Sequence, residues 1–125
     1  MTEIRISEYS GFCFGVKRAV DMINESIENS GSSIYCLGEL IHNRTVVEEL
    51  EGLGVYVEED LDKITDGTVI IRSHGVGKDV FEKIAAKGLN LVDATCPKVK
   101  SVQNKVENYH NMGYNIVIVG DMNHP

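Results

Sequence analysis

No apolar run in the chain approaches the roughly 20 residues needed to cross a bilayer, so no helical membrane span is expected. There is no C-x-x-C pair, and with it goes the spacing signature of a zinc ribbon or a thioredoxin-type site. The three cysteines, Cys13, Cys36 and Cys96, are odd in number and far apart. That speaks against a disulfide framework and for a reducing compartment. No basic stripe is visible: twelve Lys and Arg face nineteen Asp and Glu, a net charge of −7. A nucleic-acid partner is therefore not expected of this segment. Linkers rich in Pro, Gly or Ser and low-complexity tracts are missing too. The opening stretch MTEIRISEYSG has charges on both sides of its few apolar residues, which does not read as a signal peptide. The expected location is cytoplasmic, away from the membrane.

What is there suits one small α/β domain, or one domain plus the beginning of another: 125 residues, 42% hydrophobic and 25% charged, enough apolar material for a core. The acidic balance has one sharp consequence. An anion could be held only by a few well-placed groups, because the overall field opposes it.

Short apolar runs alternate with helical patterns along the whole chain. Ile4-Arg5-Ile6 reads as a first strand. Val16, Ala19, Val20, Ile23 and Ile27 share one face of a helix that Gly31 stops. Ile34 to Leu37 reads as a strand. Asn43 can cap a helix with Val46, Val47, Leu50 and Leu53 inward. Val55 to Val57 and Thr68 to Ile71 read as strands, the latter apolar enough to be covered on both faces. Val80, Phe81, Ile84 and Ala85 form the next helix, and Leu89 to Val92 the next strand. Pro97 suits the first position of a helix burying Val99, Val102, Val106 and Tyr109. Asn115 to Val119 reads as the last strand. This β-α alternation predicts an α/β fold with a parallel sheet flanked by helices, and right-handed crossovers bring the carboxyl ends of the strands to one edge.

The reactive side chains fall in the strand-to-helix turns. Cys13 opens the first helix in Gly11-Phe12-Cys13-Phe14-Gly15, and His42 precedes the Asn43 cap. His74 lies in Ser73-His74-Gly75, Cys96 in Asp93-Ala94-Thr95-Cys96-Pro97, and His124 in Asn123-His124-Pro125. This is the edge at which open α/β sheets bind ligands. A helix amino terminus offers unpaired N–H groups and partial positive charge, which favour a thiolate, the form that binds metal. Those N–H groups can also donate to cluster sulfides, and helix starts are natural phosphate sites, which suits His42 and His74 as donors to an anion. Phe12 and Phe14 are expected to give Cys13 an apolar surround.

Each residue also has a plainer explanation. Lone cysteines are more often small buried hydrophobes than ligands, and Cys36, inside a strand, is read that way. Cys13 and Cys96 stand apart through their matched helix-start positions. His110, near a helix end where a cation is welcome, reads as a surface residue. Gly75-Val76-Gly77-Lys78-Asp79 imitates a phosphate loop but lacks the earlier glycine and the Ser/Thr after lysine. Asn43-Arg44-Thr45 is a sequon with no meaning short of secretion, and Glu58-Glu59-Asp60 reads as a solvated loop.

Taken together, Gly11 to Val16, Leu40-Ile41-His42-Asn43, Ser73-His74-Gly75-Val76, Asp93 to Pro97 and Asn123-His124-Pro125 resemble the 4-hydroxy-3-methylbut-2-enyl diphosphate reductases, the LytB-type enzymes. The resemblance implies that Cys13 and Cys96 are two of three protein ligands to a [4Fe–4S] cluster. It implies that His42, His74 and His124 bind the substrate diphosphate, with His124 also steering protons. The implied reaction is reductive removal of an allylic hydroxyl, giving isopentenyl and dimethylallyl diphosphates in the non-mevalonate isoprenoid route. Ferredoxin or flavodoxin would supply the electrons.

The family's third cysteine ligand and the glutamate after its His-Pro pair have no counterpart here. The resemblance further implies three α/β lobes. Residues 1–95 would build the first, with residues 1–13 able to pack against the third, and residues 96–125 would begin the second. Such a fragment is expected to be inactive alone. Two rival readings remain: a phosphate-binding module with inert cysteines, and a zinc protein using Cys13, Cys96 and a histidine.

Overall fold

The computed structural model describes residues 2–39 and 43–121. The first helix, α1, spans Phe14–Asn29, and Ala19 and Ile23 are wholly buried on its inner face. Val16, Val20 and Ile27 pack beside them, as the 3.6-residue spacing predicts. A Lys17–Asp21 ion pair of 2.7 Å lies on the outer face. Strand β1 (Ile34–Leu37) leads to α2 (Arg44–Gly52), whose first turn is capped by the Asn43 side chain accepting from the Val46 N–H at 3.4 Å. Then come β2 (Val55–Glu58), a 3-10 turn at Leu61–Lys63, β3 (Thr68–Ile71), α3 (Lys78–Ala86), β4 (Asn90–Asp93) and α4 (Pro97–Asn111).

The four strands form one parallel sheet in the order β2-β1-β3-β4. Ile34 stands opposite Val55 on one side and Thr68 on the other, and Thr68 stands opposite Asn90. All four residues of β3 are buried, and their alternation feeds two cores. Ile70 joins Ala19, Ile23, Ile34, Cys36, Leu50 and Ala94 on the face covered by α1 and α2. Val69 and Ile71 join Leu37, Ile64, Ile84 and Leu89 on the face covered by α3. The result is a three-layer α/β/α sandwich, as expected of a parallel sheet.

In this order the chain runs outward from β1 to β2 and outward from β3 to β4. Strand order therefore reverses between β1 and β3, and the crevice outside their carboxyl ends is where such sheets receive ligands.

Several expectations need correction. Ile4 to Ile6 is not a strand, and Ile4 and Ile6 are 84% and 81% exposed. Asn115 to Val119 is not a strand either, and Val119 is 95% exposed. A β-prone run becomes a strand only when its N–H and C=O groups find a neighbour, and neither run has one among the described residues. Helix α4 begins at Pro97 as expected but buries none of its residues: Val99 and Val106 are half-buried, Val102 and Tyr109 exposed. Its periodicity is right, but no layer among the described residues covers that face. Leu53, placed on the inner face of α2, is also exposed, because it is the cap residue beyond the last turn.

Candidate functional site

Both helices that begin with a cysteine are built alike. Cys13 and Cys96 are the N-cap residues of α1 and α4, with φ/ψ of −63°/162° and −57°/131°, and neither side chain caps its own helix. Both thiols are free, Cys13 exposed and Cys96 half-buried.

Two contacts draw the two helix starts together, and a third ties one of them to the neighbouring turn. A Cβ placed on Gly15, the second residue of α1, would stand 2.6 Å from Cys96 Sγ and 3.1 Å from Cys96 Cβ. Only a glycine lets the first turn of α1 approach the thiol this closely. Farther along α1, Arg18 Nη1 reaches the Thr95 carbonyl at 3.5 Å. The Cys96 N–H donates to the Ser73 carbonyl at 2.9 Å, continuing the β3–β4 ladder past its last pair and joining the Cys96 turn to the turn that carries His74.

That second turn is held tightly as well. Ser73 and Thr95 are buried, and His74 is half-buried. Gly75 adopts φ +80°, and a Cβ there would meet Thr95 Cγ2 and Gln103 Nε2 at 3.0 Å. A side chain would be both strained and crowded at this position. Beneath the Cys96 turn, Asp93 Oδ1 accepts from the Thr95 N–H at 3.0 Å and from the Thr95 hydroxyl at 2.5 Å, while Oδ2 pairs with Lys100 Nζ at 2.5 Å. Burial pushes the Asp93 carboxyl up, but the bonds from Lys100 and Thr95 outweigh it and hold the group below the usual carboxylate range.

Of the five expected site residues, the structure groups Cys96, the His74 turn and the helix start capped by Cys13. His42 and His124 lie outside the described residues. Cys36 is a core residue, 1% exposed, and burial pushes its thiol up to about 12 despite the opposing charge of Arg72. Phe12 and Phe14 do not enclose Cys13: they are 45% and 67% exposed, since nothing among the described residues packs over them. The acidic run is a capping loop, with Asp60 Oδ1 accepting from the Asp62 N–H and Glu58 Oε1 from the Asp60 N–H. Lys78, of the loop that imitates a phosphate site, pairs with Glu107 instead.

Among the described residues, no group of three or more His, Cys, Asp or Glu could hold a metal ion by itself. Cys13 and Cys96, whose side chains cap neither helix, are two sulfur donors at helix starts that the close approach of Gly15 to Cys96 holds together. Two cysteines are chemically suited to supply part of the ligand set of a metal cluster. Sequence reasoning missed Gly15 as a contact and Asp93 as a brace. Only the second left a local trace, an Asp two residues before the N–H that it accepts from, in the manner of an Asx-turn.

The chain matches the protein family described as LytB protein over residues 4–125. It is 53% identical over 127 aligned residues to the 4-hydroxy-3-methylbut-2-enyl diphosphate reductase of Thermoanaerobacter sp. (strain X514), covering 98% of this chain and 44% of that protein. Among solved structures it is similar to an (E)-4-hydroxy-3-methyl-but-2-enyl diphosphate reductase described as the terminal enzyme of the non-mevalonate pathway, with TM-score 0.86 and 45% identity over 100% of this chain and 44% of that one. It is likewise similar to the E-1-hydroxy-2-methyl-but-2-enyl-4-diphosphate reductase from Plasmodium falciparum, with TM-score 0.88 and 33% identity over 94% of this chain and 37% of that one. The chain thus spans less than half the length of these relatives. With its α/β fold and its converging cysteine turns, the chain belongs to the LytB family.

Proposed function

We propose that this chain supplies the first lobe, residues 1–95, and the start of the second, residues 96–125, of an iron–sulfur reductase. The reaction is removal of the allylic hydroxyl of (E)-4-hydroxy-3-methylbut-2-enyl diphosphate, giving isopentenyl and dimethylallyl diphosphates. Two electrons and two protons enter, the C–O bond breaks, and the oxygen leaves as water. The observation that carries the reading is the packing of Gly15 against Cys96 Sγ, which sets two cysteine-capped helix starts side by side.

In this reading Cys13 and Cys96 hold a [4Fe–4S] cluster with a third cysteine from outside the chain. A bound cluster supplies the electrons and, at an iron lacking a protein ligand, a Lewis acid for the leaving hydroxyl. The chain's own residues do the rest. His42, His74 and His124 donate to the diphosphate and orient the substrate from the end remote from the reacting carbon. Imidazoles suit this task because their protonation changes near neutral pH, and His124 can pass a proton onward. The His74 turn is braced against the Cys96 turn through Ser73 and Gly75, which supports anion and metal sites at a fixed spacing.

The unpaired run from Asn115 to Val119 and the uncovered face of α4 support a second lobe beginning at residue 96. Ile4 and Ile6 support a partner for residues 1–13 in a third lobe. As an isolated piece the chain is expected to be inactive. No helix among the described residues is long and apolar enough to cross a membrane. A cytoplasmic location with ferredoxin or flavodoxin as electron donor belongs to the same proposal.

Anaerobic reconstitution of the full-length protein with iron and sulfide tests it. Brown protein with broad visible absorbance that consumes the hydroxylated diphosphate is the expected result. Colourless protein that retains zinc instead would overturn it in favour of a zinc site.

A further inference from the structure

Arg72 follows β3 by one residue, at the edge where strand order reverses between β1 and β3. It lines a crevice of about 410 Å³ with Leu37, Gly38, Glu59, Val76 and Val80. The side chain is half-buried, and its Nε–H is buried with no hydrogen-bond partner. Its guanidinium lies over Gly38, where a Cβ would come within 3.0 Å of Nη1. A larger residue at position 38 would push the guanidinium out of this seat.

A guanidinium in this state calls for an explanation. A buried donor left unpaired forfeits its hydrogen bonds to water, and the cost is larger when the group is charged. Two nearby groups could have answered the charge, and neither does. Cys36 lies close enough to feel Arg72, yet its thiol is neutral, pushed up to about 12 by burial. Glu59 stands on the crevice wall but is exposed, and the ion pairs formed among the described residues do not include Arg72.

The position is also informative. The turn after β1 leads in sequence to His42, and the turn after β3 carries His74 two residues beyond Arg72. In a chain of net charge −7, an anion is held by a few local groups or not at all. The planar fork of an arginine matches phosphate oxygens bidentately.

We infer that Arg72 binds the diphosphate end of the substrate at the mouth of the β1–β3 crevice. The assignment rests on the function proposed above and adds a permanent cation to its histidine donors. The Nη groups of the fork, which make no hydrogen bond among the described residues, are the donors left for that anion, and the buried Nε–H shows that the fold leaves this guanidinium's charge unanswered.

The test is calorimetric titration of full-length protein, cluster loaded, with inorganic diphosphate at low salt. Arg72→Ala is expected to weaken binding about tenfold or more and Arg72→Lys by less. KM for the substrate should rise with little change in kcat, and iron content and visible absorbance should stay the same. If Arg72→Ala does not fold, Arg72→Gln keeps the stem and a polar head and reads the same quantity. Diphosphate binding by the wild type that survives in these variants overturns the role of Arg72 alone. A wild type that binds no diphosphate overturns the proposed function and Arg72 with it. Glu59→Gln should leave binding unchanged or tighten it. A loss as large as that of Arg72→Ala, not increased in the double variant, would make Arg72 a partner of Glu59 and overturn the inference.

Discussion

Gly15 and Cys96 lie 81 positions apart in sequence, yet Gly15 leaves so little room that a methyl group there would stand 2.6 Å from the Cys96 sulfur. The contact places the first turn of α1 against the residue that caps α4. Gly15→Ala in the full-length protein should force the Cys96 thiol to rotate away. Overpacking of this kind costs about 1–3 kcal/mol, so the expected outcome is a folded protein with a modestly lower melting temperature and much less bound iron. Gly31→Ala is the control, since its added Cβ meets nothing within 4 Å. Equal iron content in the two variants would show that the approach at Gly15 does not govern the site.

Cys13 and Cys96 are both N-caps with free thiols and no capping bond of their own. Replacing either by serine therefore costs little helix stability, because serine is itself a good N-cap. Cys13→Ser and Cys96→Ser should keep their helical circular dichroism while each loses stable cluster assembly. Cys36→Ser is different. It would place a hydroxyl in a core site 1% exposed and should lower stability by about 1–3 kcal/mol with the cluster unaffected. Unchanged iron in either helix-start variant would remove that residue from the ligand set.

The sequence made β1 and β3 legible to the residue, because Ile34 to Leu37 and Thr68 to Ile71 are apolar runs bounded by polar or glycine positions. The Asn43 cap and the start of α4 at Pro97 were equally local signals. Ile4 to Ile6 and Asn115 to Val119 have the same composition as true strands and failed, since pairing depends on a neighbour that composition does not reveal. The same reason explains α4, whose apolar stripe was readable but whose cover was not. At the site, residue types and their turn positions were visible in sequence. The contact at Gly15 and the orphaned donor of Arg72 were not, for both are tertiary facts: one an approach between helices, the other a missing partner.

His74 sits in a turn fastened by Ser73 to Cys96 and by Gly75 to Thr95, so its replacement should disturb the ligand more than the fold. His74→Ala and His42→Ala in the full-length protein should each weaken inorganic diphosphate binding about tenfold, the scale of one hydrogen bond to a charged group, and leave cluster absorbance intact. Binding equal to wild type would reduce the residue concerned to a turn former.

Asp93 offers a pH test of how the Cys96 turn is braced. Its folded carboxyl is held below the usual range: burial opposes the charge, and the bonds from Lys100 and Thr95 prevail. The sign follows from linkage. A group with a depressed folded pKa adds stability that is complete above its unfolded value, about 3.9 for Asp, and drains away as pH falls through the lower folded value. Asp93→Asn removes the charge that attracts Lys100 but keeps an oxygen for the Thr95 N–H, so the loss at neutral pH should be about 1 kcal/mol. Urea unfolding of wild type and Asp93→Asn should therefore differ most at pH 7, start to converge as pH falls below the unfolded value near about 3.9, and meet only once the pH is below the depressed folded value. A difference that holds constant down to pH 2 would mean that Asp93 acts through shape alone, and that the Lys100 pair contributes nothing to the turn presenting Cys96.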